Sequence, residues 1–198
     1  DITANPFAVA DAKSMERALG SKASLLTPKD LSDLEQSLTF EPKNRRAPLV
    51  VYIDMASTSS GEQGYLLTTD AKSLNVSNAY SIRNLLEQIW QIPVPHKLLI
   101  LNTNHSCRNL RTGILDNDFS YFLKTEFNAL TKRANNTAGT AGTSNNTIQS
   151  NSGNDSTESF IVLCSSADGQ SNWGSPSLGH TPFAALISYC ISGGEKAD

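Results

Sequence analysis

Three short, unbroken apolar runs set the limits on what this chain can fold into: Leu49-Val50-Val51-Tyr52-Ile53, Leu98-Leu99-Ile100-Leu101 and Phe160-Ile161-Val162-Leu163-Cys164. A strand with one wet face alternates apolar and polar residues. A continuous run bounded by polar residues or proline instead fits a strand covered on both faces, as in a parallel sheet between helices. Gly64-Tyr65-Leu66-Leu67 is a weaker candidate, read as a short edge strand or hairpin arm.

Helical patterns lie between and beyond the runs. Thr27-Pro28-Lys29-Asp30 reads as a helix start, with Thr27 as cap and Pro28 in the first turn, and Leu31, Leu34 and Leu38 continue at helical spacing. Ile82, Leu85, Leu86, Ile89 and Trp90 recur at i, i+3, i+4, i+7 and i+8, the spacing of one amphipathic face. Phe119, Phe122, Leu123, Phe127 and Leu130 make a further helix, and Phe183, Leu186, Ile187, Cys190 and Ile191 the last. Strands alternating with helices predict an α/β fold of three layers, a mostly parallel central sheet flanked by helices.

At 198 residues the chain suits a single domain, 1–198. One segment, 134–158, departs from the rest: it is built of Asn, Thr, Ser and Gly with Ile148 as its only large apolar residue. Such a stretch buries too little to offset its conformational entropy and is expected to be a disordered loop. Lys132-Arg133 just before it is expected to be an accessible cleavage site for another protease.

Charge and cysteine usage narrow the function classes. A net charge of −3 gives no electrostatic footprint for nucleic acid, and the short cluster Lys43, Arg45 and Arg46 reads as a solvated loop. No apolar run approaches the ~18 residues that span a bilayer. Three scattered cysteines, Cys107, Cys164 and Cys190, argue against a disulfide scaffold and favour a reducing, cytoplasmic setting. Cys164 and Cys190 read as small buried hydrophobes. His96, His105 and His180 share no metal-ligand spacing, and Gly61 and Gly64 lack a phosphate-loop pattern, so neither a metal nor another cofactor is expected.

In parallel α/β sheets functional groups gather at the carboxyl ends of the strands. Here those ends lead into Asp54-Met55-Ala56-Ser57, Asn102 to Cys107, and Ser165 to Trp173. Asp168 and Gln170 read equally as pocket-lining groups or as a solvent-facing turn.

The ordered set of segments resembles the caspase and metacaspase superfamily of cysteine peptidases, in particular its bacterial caspase-like members. In that family the first of these strands leads into Ser-Gly-His-Gly, with the catalytic His, and the second into Asp-Ala-Cys-His-Ser-Gly, with the nucleophilic Cys. Here Asp54-Met55-Ala56-Ser57 stands at the first motif and Asn102-Thr103-Asn104-His105-Ser106-Cys107 at the second. The resemblance puts Ala56 at the His position and Asn104 at the Cys position. Pro6-Phe7-Ala8-Val9-Ala10-Asp11-Ala12 is similar to the family's Asp-Ala helix start, and Gly64 to Leu67 with Asp70-Ala71 to a following strand segment. Ser165-Ser166-Ala167-Asp168-Gly169-Gln170 with Trp173, then Leu178-Gly179-His180 and Phe183, is similar to the segment shaping the substrate groove. The polar segment falls where caspases carry their inter-subunit linker. The family's first core strand would precede Asp1, so a trimmed chain is expected.

The resemblance implies a caspase-like fold and a lost dyad. A cysteine peptidase needs a thiolate and an imidazole to activate it, and neither Asn104 nor Ala56 supplies one. The expected function is therefore that of a pseudo-peptidase, not an enzyme, serving as a protein-interaction or regulatory module that holds a protein or peptide ligand. The groove-like residues are Ser165, Asp168, Gln170 and Trp173. Two alternatives stand beside it. One is an active endopeptidase with a non-standard dyad, for which His105 and Cys107 are weak substitutes. The other is a small-ligand-binding doubly wound α/β domain. Nothing in the sequence fixes the oligomeric state.

Overall fold

The computed structural model describes residues 5–26, 30–39, 41–42, 44–68, 79–103, 108–109, 113–114, 118–137, 158–168, 170 and 172–194. The three apolar runs form one parallel sheet: β1 (Leu49–Asp54), β5 (His96–Asn102) and β8 (Ser159–Cys164), in the order β1-β5-β8. Leu49 lies beside Lys97 and Asp54 beside Asn102, while Lys97 pairs with Phe160 and Leu101 with Cys164.

Alternation along these strands divides their side chains between two faces. On one face Ile53, Leu99 and Leu101 meet Leu85, Leu86 and Ile89 of α3 (Ile82–Gln91), and Phe119, Leu123 and Leu130 of α4 (Phe119–Thr137). Each such side chain, fully buried, contributes about 1.5–3 kcal/mol before its lost freedom is counted. Arg83 of α3 grips the buried carboxylate of Glu126 in α4 through two bonds of 2.9 and 2.7 Å. The other face carries α1 (Ala8–Leu19) against β1, with α5 (Pro182–Ile191) packed beside α1. The molecule is thus mixed α/β, with a three-stranded parallel sheet between helices.

The turn after β1 folds further than the sequence suggested. β2 (Ala56–Ser60), β3 (Gln63–Leu67) and β4 (Ala79–Ser81) form a second, antiparallel sheet in the order β2-β3-β4. Gly64 to Leu67 is therefore a hairpin arm, the second of the two readings, and lies in the middle of the sheet instead of at its edge. Gly61, at φ 61, turns the hairpin in a region that favours glycine. A small antiparallel ladder joins β6 (Arg108–Asn109) to β7 (Gly113–Ile114).

Several local readings are corrected. The helix α2 (Leu31–Leu38) is capped by Asp30, whose carboxylate accepts from Asp33 N at 2.9 Å, and Thr27 lies outside the described residues. Lys132 and Arg133 sit inside α4, where Arg133 pairs with Glu87 at 3.1 Å, so this dibasic pair is held in regular helix. That helix runs to Thr137, into the start of the polar segment, whose residues 138–157 lie outside the described set. In α5 the buried residues are Ala184 and Ser188, not the large apolar ones, and Cys190 is exposed. The small side is buried because α1 approaches closely there: the Ser14 hydroxyl donates to Ser188 Oγ at 3.2 Å.

Candidate functional site

The parallel register sets Asp54 and Asn102 side by side at the carboxyl ends of β1 and β5. Both point away from the α3–α4 face, together with Tyr52, toward α1 and the start of α5. Asp11 enters from the first turn of α1 and is fully buried. Thr181 caps α5, its hydroxyl accepting from Ala184 N at 3.3 Å, and Pro182 supplies the fixed backbone of the first turn. Asn172 completes the cluster from the segment after β8.

Asn102 is its hub. Its amide nitrogen lies 2.6 Å from Asp54 Oδ2, 2.9 Å from Thr181 Oγ1, 3.1 Å from the Tyr52 hydroxyl and 3.2 Å from Asp11 Oδ2. An amide carries two hydrogens, so the hydroxyls also donate elsewhere. Tyr52 donates to Asp54 Oδ2 at 3.1 Å, and Thr181 to Asp11 Oδ2 at 2.8 Å. Asn102 Oδ1 accepts from Asn172 Nδ2 at 2.5 Å. The other oxygen of Asp54 accepts from Asn5 Nδ2 at 2.9 Å. The second oxygen of Asp11 meets His180 Nδ1 at 2.7 Å, with Thr181 N at 3.3 Å.

Burial governs the protonation of this cluster. It raises the Asp11 carboxyl above its ordinary value, opposed by the hydrogen bonds from Thr181 and His180 and reinforced by the charge of Asp54. Burial likewise pushes the Tyr52 hydroxyl far above its usual range, followed by the charges of Asp54 and Asp11. Tyr52 therefore remains a protonated donor at any physiological pH.

The positions singled out from sequence divide three ways. Ala56 opens β2, half-buried, two residues past Asp54. Asn104, His105 and Cys107 lie outside the described residues. Of the groove-like residues, Ser165 stitches β8 to the end of β5: its hydroxyl donates to Thr103 O at 2.9 Å and accepts from Thr103 N at 3.1 Å. Asp168 and Gln170 are exposed on a turn closed by Gln170 N to Ala167 O at 3.0 Å, and Trp173 is 62% exposed. The described parts of the three strand-end segments converge, and Trp173 meets the cluster through its backbone, its N–H donating to Asn172 Oδ1 at 2.9 Å while its ring is exposed.

Sequence reasoning passed over Tyr52, Thr181 and Asn172, and took Asp11 and Asn102 only as parts of motifs. Two signals were available: a carboxylate amid Ala8, Val9, Ala10 and Ala12 in a helix start, and the Thr181-Pro182 pair as cap and first turn.

Chemically, the Asp11–His180 pair has the form of an imidazole oriented by a buried carboxylate. Among the described residues, His180 makes no hydrogen bond to a Ser, Thr or Cys side chain. Cys164 Sγ lies near Thr103 Oγ1 at 3.9 Å and Ser120 Oγ at 3.8 Å, away from the imidazole's partners. No cluster of three His, Cys, Asp or Glu side chains suited to a metal ion occurs among the described residues. Compared with protein-family models, curated proteins and solved structures, the chain gives no significant match.

Proposed function

We propose that this chain is a caspase-like domain without a working cysteine-peptidase dyad, retained as a protein-interaction or regulatory module. One observation carries the reading: the pairing of Asp54 with Asn102 makes neighbours of the two strand ends. Ala56 and Asn104, the residues at the His and Cys positions of the resemblance, each follow two residues later in sequence. The polar groups at those ends bond to one another. Such a closed network suits a rigid platform better than a proton-transfer centre, whose groups must be free to exchange protons with a substrate.

The Asp11–His180 pair favours a second reading, an endopeptidase that uses His180 as an unexpected base. A panel of peptidyl electrophiles, with adduct mass and modified residue as readout, separates the two. The platform reading expects no peptide-dependent adduct on any cysteine. A stoichiometric adduct that disappears in His180→Ala would replace it with the peptidase reading.

A further inference from the structure

A cleft of about 680 Å³ opens at the opposite end of the molecule, at the amino ends of the parallel strands. Its floor is Lys97, the second residue of β5, which is 9% exposed. Alternation points Lys97 to the same side as Leu99 and Leu101, beneath the end of α3. There its ammonium lies 5.7 Å from the centre of the Trp90 ring. No hydrogen bond or ion pair meets that ammonium among the described residues. Glu158, also lining the cleft, does not approach within the 4.0 Å of an ion pair. Burial lowers the Lys97 pKa, with Glu158 pulling the other way. A buried cation with a ring face beside it and, among the described residues, no hydrogen bond or ion pair is costly, and an anion in the cleft would offset that cost.

Two further cations stand at the rim for a reason visible in the backbone. Asn44 Oδ1 accepts from Arg46 N at 3.0 Å and Asn44 O from Ala47 N at 3.2 Å, forming a tight turn just before β1. Leu49 of β1 lies in register with Lys97, so the turn brings Arg45 and Arg46 to the mouth of the same cleft. Both are exposed, and neither forms an ion pair among the described residues. Arg45, Arg46 and Lys97 outnumber the one carboxylate, Glu158, in a space walled by Ile92 and Pro93.

We infer that this cleft binds a small phosphate monoester, its dianionic head between Lys97 and the Arg45–Arg46 turn and its organic part against the Ile92–Pro93 wall. Guanidinium groups match the paired oxygens of such a head, and a buried ammonium supplies a point charge. The site is independent of the platform at the carboxyl end of the sheet and of its proposed role.

The probe is phenyl phosphate, titrated at low ionic strength into Trp173→Phe protein, in which Trp90 is the only tryptophan fluorophore. A saturable change in Trp90 emission below about 1 mM is expected, with inorganic phosphate competing. Benzenesulfonate, a monoanion of similar shape, should bind at least tenfold more weakly. Arg45→Gln/Arg46→Gln, a change of exposed side chains only, should weaken phenyl phosphate at least tenfold with an unchanged circular dichroism spectrum. Lys97→Met should do the same and, being unbranched and apolar in a buried position, keep the fold. Absence of saturable binding, equal affinity for benzenesulfonate, or indifference to the double arginine change would each overturn the inference.

Discussion

Asn102 holds four oxygens around one amide nitrogen, two of them from carboxylates, and the burial of this cluster is the main cause of the raised Asp11 pKa. With Asp54 drawn into the same amide, Asp11 faces both a low-dielectric setting and a second negative charge, and its pKa rises. The consequence for stability has a definite sign. A carboxyl that binds its proton more tightly when folded contributes most below the ordinary value of 3.8, and that contribution is lost as pH climbs through the raised folded value. Asp11→Asn keeps the shape and abolishes the titration. The unfolding free energy of the wild type minus that of Asp11→Asn should therefore fall as pH rises from 3.8 and level off once Asp11 is ionised in the folded state. Urea unfolding over a pH series reads this difference. A difference that stays constant or grows across that window would show that Asp11 is not held above its ordinary value. Asp54 and His180, which face Asp11, are present in both proteins, and Tyr52 stays protonated throughout.

Helix α5 shows how spacing and burial part company. Phe183, Leu186, Ile187, Cys190 and Ile191 recur at helical intervals, yet Leu186 is 60% exposed while Ala184 and Ser188 are buried against α1. Nearly every position of this helix is apolar, so periodicity alone has no contrast from which to choose a face. The close approach of α1 at Ser14 makes the choice, and that contact lies 174 residues away in sequence. Ser188→Leu should overpack the interface and cost about 1–3 kcal/mol, whereas Leu186→Ala should stay within about 0.5 kcal/mol. Denaturant midpoints at constant m-value compare the two. The reverse order would return the large apolar residues to the core. The same contrast explains what was legible elsewhere. Ile82 to Trp90 alternates cleanly with Arg83, Asn84, Glu87 and Gln88, and its buried face was readable at Ile82, Leu85, Leu86 and Ile89, with Trp90 partly buried at its margin. The three strands were readable because each apolar run is four or five residues long, rich in Val, Ile and Leu, and closed by polar residues at its end, too short for a helix. The candidate site was half legible: Asp54 and Asn102 end the strands, but their joining depends on register, and Thr181 and Asn172 arrive from segments whose approach no local pattern records.

The two faces of the sheet differ in the balance of apolar burial and hydrogen bonding, and this should govern how the whole molecule opens. The α3–α4 face is a continuous apolar core that includes Leu85, Leu86, Ile89, Phe119 and Leu123, all buried, with the Arg83–Glu126 pair closing its margin. The α1–α5 face buries fewer large apolar side chains, Met15 and Ile100 among them, and is held at its upper end by hydrogen bonds among Asp11, Asn102, Asp54 and Thr181, with Ser14 meeting Ser188 between its helices. It also leaves Ile161 and Leu163 of β8 exposed, so helices on that side do not cover the full width of the sheet. Net hydrogen bonds contribute roughly 0.5–1.5 kcal/mol each, less than the burial of a large apolar side chain at about 1.5–3 kcal/mol. The α1–α5 layer should therefore separate before the sheet and the α3–α4 layer unfold. Native-state hydrogen exchange by mass spectrometry reads this directly. Amides of α1 and α5 should exchange through a shared opening of lower free energy than those of β5, α3 and α4. Asn102→Leu should lower that opening energy while leaving the slowest amides of α3 nearly unchanged, because it cuts the network without touching the apolar core. Equal protection of both layers, or a uniform fall in the variant, would mean that the two faces form one cooperative unit and that the polar cluster is as integral to the core as Leu99 and Leu101.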